Sequence, residues 1–184
     1  MTGDAKAAAR RTAFARRRAA YEAQAPGAAG KLSEVLAGHR GVPLSGYMPI
    51  RTEIDPLPAM EEASAYGPVA VPVIRARGEP LDFARWVPGT EMVDGPFGAS
   101  IPAEIELIEP EILIVPLVAF SRSGARLGYG GGFYDRTLAR LRARRATLAI
   151  GFAFAAQEDD ALPTDATDEP LDLIVTEAEV ITPG

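Results

Sequence analysis

The sequence predicts a single α/β domain with a mostly parallel sheet, and three observations support this prediction. The chain has 184 residues, of which 47% are apolar, which suits one domain with a sizeable core. The segment EILIVPLVAF (111–120) is almost continuously apolar, as a strand covered on both faces would be. A glycine-rich loop, a helical pattern and a second apolar strand follow in that order, which implies a right-handed crossover between parallel strands.

The first elements are predicted from helix formers and helix breakers. Residues 4–24 contain strong helix formers and no proline until Pro26, so they are expected to form one helix. A second, short helix is predicted over 29–39, ending near Gly41, and a third over 57–66, ending at Gly67. The N-terminal part of the chain is therefore expected to be mainly helical.

Strands are predicted between and after these helices. VPLSGYMPI (42–50) reads as a strand that ends at Pro49, and PVAVPVI (68–74) is rich in β-formers. Residues 75–109 show little periodicity and many proline and glycine residues, so we expect mainly ordered loops there. After the buried strand, SRSGARLGYGGG (121–132) is predicted to be a loop.

The last part of the chain repeats the helix and strand patterns. A helix is predicted from Phe133 to about Arg145, because Leu138 and Leu141 share one face and the arginines lie elsewhere. TLAIGFAF (147–154) and LDLIVTE (171–177) are expected to be the final two strands.

Composition limits the function classes. The net charge of −6 is uneven: residues 1–18 carry six basic residues and one acidic residue, against 13 basic and 24 acidic residues in the remainder. Such an acidic body is a poor partner for nucleic acid. The chain has no cysteine, which excludes disulfides, thiolate nucleophiles and cysteine-rich zinc sites and fits a reducing compartment. We therefore expect a cytoplasmic protein, and no apolar run is long enough to suggest a membrane partner.

The basic N-terminal segment has two explanations. On a helix, Lys6, Arg10 and Arg17 lie within about 40° of one another and form one cationic face. This face could bind a compact anion. It could equally be a solvated helix face or belong to an arginine-rich transit peptide.

The densest signal is RLGYGGGFYDR (126–136), with four glycines in five positions. A flexible connector would normally lack the aromatic flanks, and the spacing matches neither the dinucleotide-binding fingerprint nor the Walker phosphate loop. A different phosphate-binding loop remains, in which consecutive backbone N–H groups and the start of the next helix face one anion. From the residues alone, an unusual structural turn is an equal alternative.

Two charged residues border this loop. Arg126 could donate to a phosphate oxygen, and Asp135 in the first turn of the helix could bind Mg²⁺ directly or through water. Asp135 could instead complement the helix dipole, since acidic residues favour first turns. The chain's one histidine, His39, is expected to be structural, which leaves no convincing imidazole catalyst.

FSRSGARLGYGGGFYDR closely resembles the signature of the 5-formyltetrahydrofolate cyclo-ligase family, also called 5,10-methenyltetrahydrofolate synthetases. KAAARR, YMPIRTEID, LDFARW, IVPLVAF and LPTDATDEPLDLIVTE are similar to further family segments in the same order. The resemblance implies one domain over 1–184, with the basic helix of residues 1–24 packed on it. It also implies a three-layer α/β/α sandwich, similar to the sugar-phosphate isomerase and CoA transferase architecture, and favours a monomer.

The resemblance implies ATP-dependent conversion of 5-formyltetrahydrofolate to 5,10-methenyltetrahydrofolate, with ATP and reduced folate as substrates and Mg²⁺ as cofactor. It assigns catalytic roles to Arg126 and Asp135, and Mg²⁺ binding to Asp135 and Asp168. Asp168 could otherwise be an ordinary turn residue. The implied ATP-binding residues are Lys6, Arg10, Arg126, Leu127, Gly128, Tyr129, Gly130, Gly131, Gly132, Phe133 and Tyr134.

For the folate, the resemblance implies Glu53 as the acidic residue that faces the substrate. Tyr47, Phe83, Trp86 and Tyr129 are the candidate aromatic walls for a flat pterin. Trp86 could equally be a core residue, and Glu53 could be a solvated charge. These assignments rest on matching positions rather than on periodicity or spacing.

Four departures from the family pattern leave other functions open: Ser121, the pair Leu117–Val118, Val73 and Thr167. They allow a paralogue that binds folate or nucleotide with little or no cyclo-ligase activity. A third alternative is an ATP-independent enzyme of the related architecture, such as a sugar-phosphate isomerase or an acyl-CoA transferase.

Overall fold

The chain folds into helices packed on a twisted sheet, as seen in a computed structural model that describes residues 2–184. The helices are α1 (Thr2–Ala23), α2 (Gly30–Ala37), α3 (Leu57–Ser64) and α4 (Phe133–Arg144), with short 3₁₀ turns at Pro96–Gly98 and Ala155–Gln157. The strands are β1 (Leu44–Ser45), β2 (Val69–Val73), β3 (Asp82–Arg85), β4 (Met92–Asp94), β5 (Ser100–Pro102), β6 (Ile112–Pro116), β7 (Ala119–Phe120), β8 (Arg126–Leu127), β9 (Leu148–Phe152), β10 (Leu173–Val175) and β11 (Val180–Ile181).

The main sheet has seven strands in the order β11-β10-β9-β6-β1-β2-β3. The five central strands are parallel, and β3 and β11 pair antiparallel at the two edges. Strands β6 and β9 are parallel neighbours joined through α4, as the order strand, glycine loop, helix and strand predicts. The fold is thus the single-domain α/β fold with a mostly parallel sheet that the sequence predicts.

Strand alternation explains how both faces of this sheet are covered. On β6, Ile112 and Ile114 pack in the same cluster as the buried residues of α2 and α3, whereas Leu113 and Val115 pack with Leu138 of α4. Successive side chains of a strand point to opposite faces, so an almost wholly apolar strand serves two cores. This arrangement gives the three layers.

A third, smaller apolar cluster fixes α1 to the rest of the molecule. Ala13 of α1 packs against Val118 and against Leu127 of the small β7–β8 hairpin. The N-terminal helix therefore lies over the segment that enters the glycine loop. None of the helices described in residues 2–184 combines the length and hydropathy needed to cross a bilayer.

Two predicted strands are shorter than their apolar sequences. Only Leu44 and Ser45 of 42–50 belong to the sheet, and the chain leaves it after the Gly46 N–H donates to the Ala70 carbonyl at 2.9 Å. The run 111–120 is not one strand, because the sheet strand ends at Pro116, which has no N–H to donate. The chain then turns and forms the β7–β8 hairpin.

Residues 75–109 are mainly loop, as predicted, but they also contain three short strands that the sequence did not indicate. The segment contains β3, which pairs with β2 over four residues, and the hairpin of β4 and β5. The four-residue sequence DFAR has no periodic signal of its own, and its pairing with the edge of the sheet decides its conformation. The predicted loop 121–132 likewise contains the short strand β8.

Replacing Leu113 tests whether β6 anchors both layers. Its side chain is fully buried, so Leu113→Ala is expected to lower the free energy of unfolding by about 2–5 kcal/mol in urea denaturation. The control is Leu107→Ala, since Leu107 is 58% exposed, and it is expected to change stability by roughly 0.5 kcal/mol or less. Equal losses in the two variants would contradict the packing described here.

Candidate active site

A cleft of about 430 Å³ opens where the parallel strands β1, β2 and β6 end. Tyr47 follows β1, Pro72 and Ile74 mark the end of β2, and Pro116 ends β6. The carboxyl edge of parallel strands is the usual binding edge of α/β sheets. The lining residues are Tyr47, Met48, Ile50, Arg51, Glu53, Pro72, Ile74, Leu81, Pro96, Phe97, Ala99, Ile101, Pro116, Gly128, Tyr129, Gly131, Gly132, Phe133 and Tyr134.

The glycine loop forms one wall of this cleft and leads directly into α4. Gly130 and Gly132 have φ angles of +103° and +70°, which residues with a Cβ rarely adopt. Gly132 immediately precedes the first residue of α4, so the loop brings the positive end of the helix to the cleft. The backbone N–H groups of such a loop and helix start can bind an anion without a contribution from side chains.

The cationic face of α1 meets this loop. The Arg10 Nε donates to the Gly128 carbonyl at 2.7 Å, and a Cβ on Gly130 would lie 3.4 Å from the Arg10 guanidinium. A Cβ there would make only an ordinary van der Waals contact, so the positive φ is what requires glycine at position 130. The structure brings the basic helix and the glycine loop together.

Lys6 lies one helical turn before Arg10 and is held by two carboxylates. Its ammonium donates to Asp165 Oδ2 at 2.8 Å and to Asp168 at 3.0 and 3.1 Å. Burial lowers the pKa of Lys6, but the hydrogen bonds and charges of Asp165 and Asp168 outweigh this effect and raise the pKa overall. The bonds from Lys6 and Thr167 hold the pKa of Asp165 well below its usual range. Lys6 is therefore a charged group beside the loop.

Arg126 and Asp135 form an ion pair at the base of the glycine loop. Asp135 Oδ1 also accepts the Glu169 N–H at 2.9 Å, which brings the segment that carries Asp168 next to α4. The buried Arg126 Nε has no hydrogen-bond partner among residues 2–184. Lys6, Asp168, Asp135 and Arg126 are thus linked by one chain of contacts that ends at the base of the loop.

The carboxylates at this end do not form a ready-made metal cage. Within residues 2–184, no three acidic or histidine side chains are grouped closely enough to hold a metal ion. Asp135 Oδ2 makes no hydrogen bond with any described residue, whereas both oxygens of Asp168 accept bonds from Lys6. Mg²⁺ is commonly bound by one or two carboxylates together with phosphate oxygens, and Asp135 and Asp168 are chemically suited to that mode.

Glu53 lies deep in the cleft, with 4% of its surface exposed. Its carboxylate accepts the Ile50 N–H at 2.8 Å and the Tyr129 hydroxyl at 2.9 Å. Burial raises the pKa of Glu53, and these two bonds with the charges of Arg17 and Arg51 offset only part of the effect. Glu53 is a buried, oriented acceptor rather than a solvated charge.

The predicted aromatic walls divide into two groups. Tyr47 and Tyr129 line the cleft, and the Tyr47 hydroxyl donates to the Ile54 carbonyl at 2.6 Å. Phe83 and Trp86 do not line it, because they lie in the two hydrophobic cores on either side of the sheet. Phe83 lies on β3 and Trp86 directly follows it, and the two side chains pack into different cores. This placement matches the core alternative for Trp86 and corrects the assignment of Phe83 as an aromatic wall.

Phe97 and Phe133 supply further apolar surface, and the sequence analysis named only Phe133. Their rings meet edge to face with centroids 6.1 Å apart, and both line the cleft. Phe133 was expected beside a nucleotide, whereas Phe97 lies in a segment that had no periodic signal. The position of Phe97 in the cleft follows from the tertiary structure and not from a local sequence pattern.

Backbone strain is concentrated at the same cleft. Among residues 2–184, Arg51 and Phe97 are the two non-glycine residues with positive φ, at +53° and +64°. Both line the cleft. Strained residues of this kind cluster at ligand sites because the surrounding structure holds them in place. Neither residue carries a sequence signal for this conformation.

The four departures from the family pattern leave the cleft intact. Ser121 shares a hydrogen bond with Ser123 at 2.7 Å, and Val73 does not line the cleft. Leu117 accepts a hydrogen bond from Arg17 through its backbone carbonyl, which any residue would provide. Thr167 donates its hydroxyl to Asp165 at 2.7 Å and so supports a partner of Lys6.

The family model and the named relatives that match this chain indicate the same family. Residues 4–177 match the model of the 5-formyltetrahydrofolate cyclo-ligase family. A relative named 5-formyltetrahydrofolate cyclo-ligase from Mycolicibacterium smegmatis is 33% identical over 100% of this chain and 96% of its own length. One from Haemophilus influenzae is 38% identical, and that match covers 63% of each chain, which is just under two thirds of the relative.

Solved structures give the same result for the fold. A 5,10-methenyltetrahydrofolate synthetase from Aquifex aeolicus superposes with a TM-score of 0.69 at 27% identity, covering 98% of this chain and 92% of the other. A 5,10-methenyltetrahydrofolate synthetase from Mycoplasma pneumoniae superposes with a TM-score of 0.67 at 23% identity, covering 94% of this chain and 98% of the other. The latter supports the likeness of fold.

The pKa of Glu53 predicts a pH-dependent stability difference. A carboxyl whose pKa is raised on folding stabilises the protein at pH values below its unfolded pKa, and this contribution is lost as the pH rises through the folded pKa. Glu53→Gln is therefore expected to gain stability relative to the unmodified chain as the pH rises from 4 to 7 in urea denaturation. Exposed Glu61→Gln on α3 should follow the unmodified chain. A constant difference for Glu53→Gln would contradict the raised pKa.

Proposed function

The chain belongs to the 5-formyltetrahydrofolate cyclo-ligase family, and from this premise we propose that it uses ATP to convert 5-formyltetrahydrofolate to 5,10-methenyltetrahydrofolate, with release of ADP and phosphate. In this reaction the formyl oxygen attacks the γ-phosphate, and N10 then attacks the activated formyl carbon. Ring closure expels the oxygen as phosphate. An amide oxygen is a poor leaving group, and phosphorylation makes it a good one.

The protein's main task in the first step is alignment and charge neutralisation. We assign the amides of Gly128–Gly132 and the start of α4 to the phosphates, because the loop is glycine-rich, strained and open to the cleft. Arg10 contacts this loop directly, and Arg126 lies at its base. Lys6 is held beside it by Asp165 and Asp168. Arg10 makes no ion pair with any described residue, whereas Lys6 and Arg126 would share their charge between the phosphates and their carboxylate partners.

The same end of the loop is our proposed position for Mg²⁺, with Asp135 and Asp168 as its protein ligands. When bound with the nucleotide, Mg²⁺ would neutralise phosphate charge during transfer. In the structure Asp135 pairs with Arg126 and Asp168 pairs with Lys6. Each carboxylate therefore already has a cationic neighbour. Binding of Mg²⁺ would require Asp135 and Asp168 to contact the metal ion as well as, or instead of, Arg126 and Lys6.

The opposite side of the cleft suits a reduced pterin. Glu53 can accept hydrogen bonds from the amine and amide edge of the ring, since each of its oxygens has a free lone pair beside the existing bond. Tyr47, Phe97 and Tyr129 offer aromatic surface to the flat ring. We assign the folate to this side and not to Phe83 or Trp86.

One observation carries the proposal: the segment 126–135 borders both sides of the cleft. Its carbonyl at Gly128 contacts Arg10, and its Tyr129 hydroxyl contacts Glu53. A loop that touches a cation cluster and a buried carboxylate acceptor can align a phosphate with a formyl group. This arrangement matches the demands of the reaction in a way that a flexible connector would not.

The direct test is a turnover assay with 5-formyltetrahydrofolate and MgATP. We expect the methenyl product to appear as an increase in near-ultraviolet absorbance, with one ADP released for each product formed. Omission of ATP should abolish the signal. Folded protein that binds folate or nucleotide in calorimetry but releases no ADP would instead indicate a binding paralogue, and product formed without ATP would reject the mechanism.

Substitutions at the base of the glycine loop test the phosphate side. Arg126→Ala and Asp135→Asn are each expected to lower kcat more than tenfold, since each removes a charge worth a few kcal/mol in the transition state. Arg144→Ala is the control. Arg144 lies at the opposite end of α4 from Asp135 and pairs with Glu109, and neither Arg144 nor Glu109 lines the cleft. Unchanged kcat in both test variants would contradict these assignments.

A further inference from the structure

We propose that Arg17 is a positioning residue for folate binding, which holds Tyr129 so that its hydroxyl donates to Glu53. This inference rests on the proposed function, because it assigns a role within the same site. Arg17 does not line the cleft and would act through Tyr129. It belongs to the cationic face of α1, but its contacts differ from those of Lys6 and Arg10.

The Arg17 side chain is fully buried and joins three separate segments. Its Nε donates to the Thr52 hydroxyl at 3.0 Å, next to Glu53 in sequence. Its Nη1 donates to the Leu117 carbonyl at 3.3 Å and to the Tyr129 hydroxyl at 2.8 Å. The substrate-facing segment, the end of the central strand and the glycine loop therefore meet at one guanidinium.

The chemistry of these groups fixes the direction of the hydrogen bonds. A guanidinium has only donors, so the Tyr129 oxygen must accept from Arg17. The single hydroxyl proton of Tyr129 is then free to donate to Glu53 Oε2, 2.9 Å away. Without Arg17, the phenol could rotate its proton toward another acceptor or toward water. Arg17 thus determines which way the Tyr129 hydroxyl points.

Arg17 also restrains the position of the Tyr129 ring. Its guanidinium carbon lies 5.1 Å from the centroid of Phe14 and 5.5 Å from that of Tyr129. The two rings are 5.7 Å apart and tilted by 42°. Cation–π contact of this kind orients an aromatic side chain. Tyr129 is 39% exposed, and the contacts with Arg17 and Phe14 are therefore a large part of what restrains its ring.

The electrostatic surroundings of Glu53 agree with this role. The ionisable groups that face it are Arg17 on α1, Arg51 in its own segment, Tyr129 in the glycine loop, Tyr134 on α4 and Tyr47 after β1. Burial raises the pKa of Glu53, and both the Tyr129 bond and the Arg17 charge act against this. Loss of Arg17 would remove one of two facing cations and favour the protonated acid.

The test compares Arg17→Met, Arg17→Lys and Tyr129→Phe with the unmodified chain. Arg17→Met and Tyr129→Phe are each expected to raise KM for 5-formyltetrahydrofolate about tenfold or more, with a smaller change in KM for MgATP. The acidic limb of kcat/KM should move to higher pH in both variants. Their effects on KM should not multiply in the double variant, since both substitutions break one chain of hydrogen bonds.

Two further variants separate positioning from structural support. Arg17→Lys keeps the charge and should restore the acidic limb and part of the folate affinity. Arg16→Met is the control, because Arg16 is the neighbouring cation on α1 and instead donates to the Glu158 carbonyl at 3.0 Å. It should change neither the limb nor KM for folate. If Arg17→Met does not fold, Tyr129→Phe and Arg17→Lys still measure the same chain.

The outcomes are distinct. No product from the unmodified chain would reject the proposed function, whereas calorimetric binding of folate by the same variants would still test Arg17. Normal turnover with an unmoved acidic limb in both Arg17→Met and Tyr129→Phe would overturn the inference alone. Multiplying effects in the double variant would show that the two residues act separately and would also overturn it.

Discussion

The site depends on the docking of the N-terminal helix over the glycine loop. Ala13 packs on the β7–β8 hairpin, and one turn on either side Arg10 and Arg17 contact Gly128 and Tyr129. The loop has little side-chain bulk with which to hold its own shape, and ordering so many glycines costs conformational entropy. The helix supplies the missing contacts. A basic segment that lies far from the loop in sequence is therefore an integral part of the cleft.

Ionisable groups of both signs lie at each end of the cleft: Lys6 and Arg126 pair with carboxylates at the glycine-loop end, and Glu53 faces Arg17 and Arg51 at the other. Arg10 contacts the glycine loop itself, whereas Glu53 is the buried acceptor on the other side. The body of the protein is acidic, so the basic residues of α1 contrast with the rest of the chain. A nucleotide and a reduced folate need these two environments within reach of each other, since the γ-phosphate must meet the formyl oxygen. Tyr129 lies at the junction.

Stability and function are opposed at several of these positions. Burial of Glu53 disfavours its charged form, and Arg51 and Phe97 adopt backbone angles that cost energy. Such features persist because the two hydrophobic cores on either side of the sheet hold the framework. The apolar strand β6 contributes to both cores and ends at the cleft. The same strand thus stabilises the domain and helps to place its site.

The sequence by itself determined the strong local patterns. It identified all four helices, the buried strand β6, the crossover to β9 and the glycine loop, because periodicity, helix breakers and backbone freedom are local properties. The family resemblance named Lys6, Arg10, Arg126, Asp135 and Glu53. Only the tertiary structure decided that Phe83 and Trp86 lie in the core, that Phe97 lines the cleft and that Arg17 joins three segments. Those outcomes depend on contacts between residues far apart in the chain, and no local pattern encodes them.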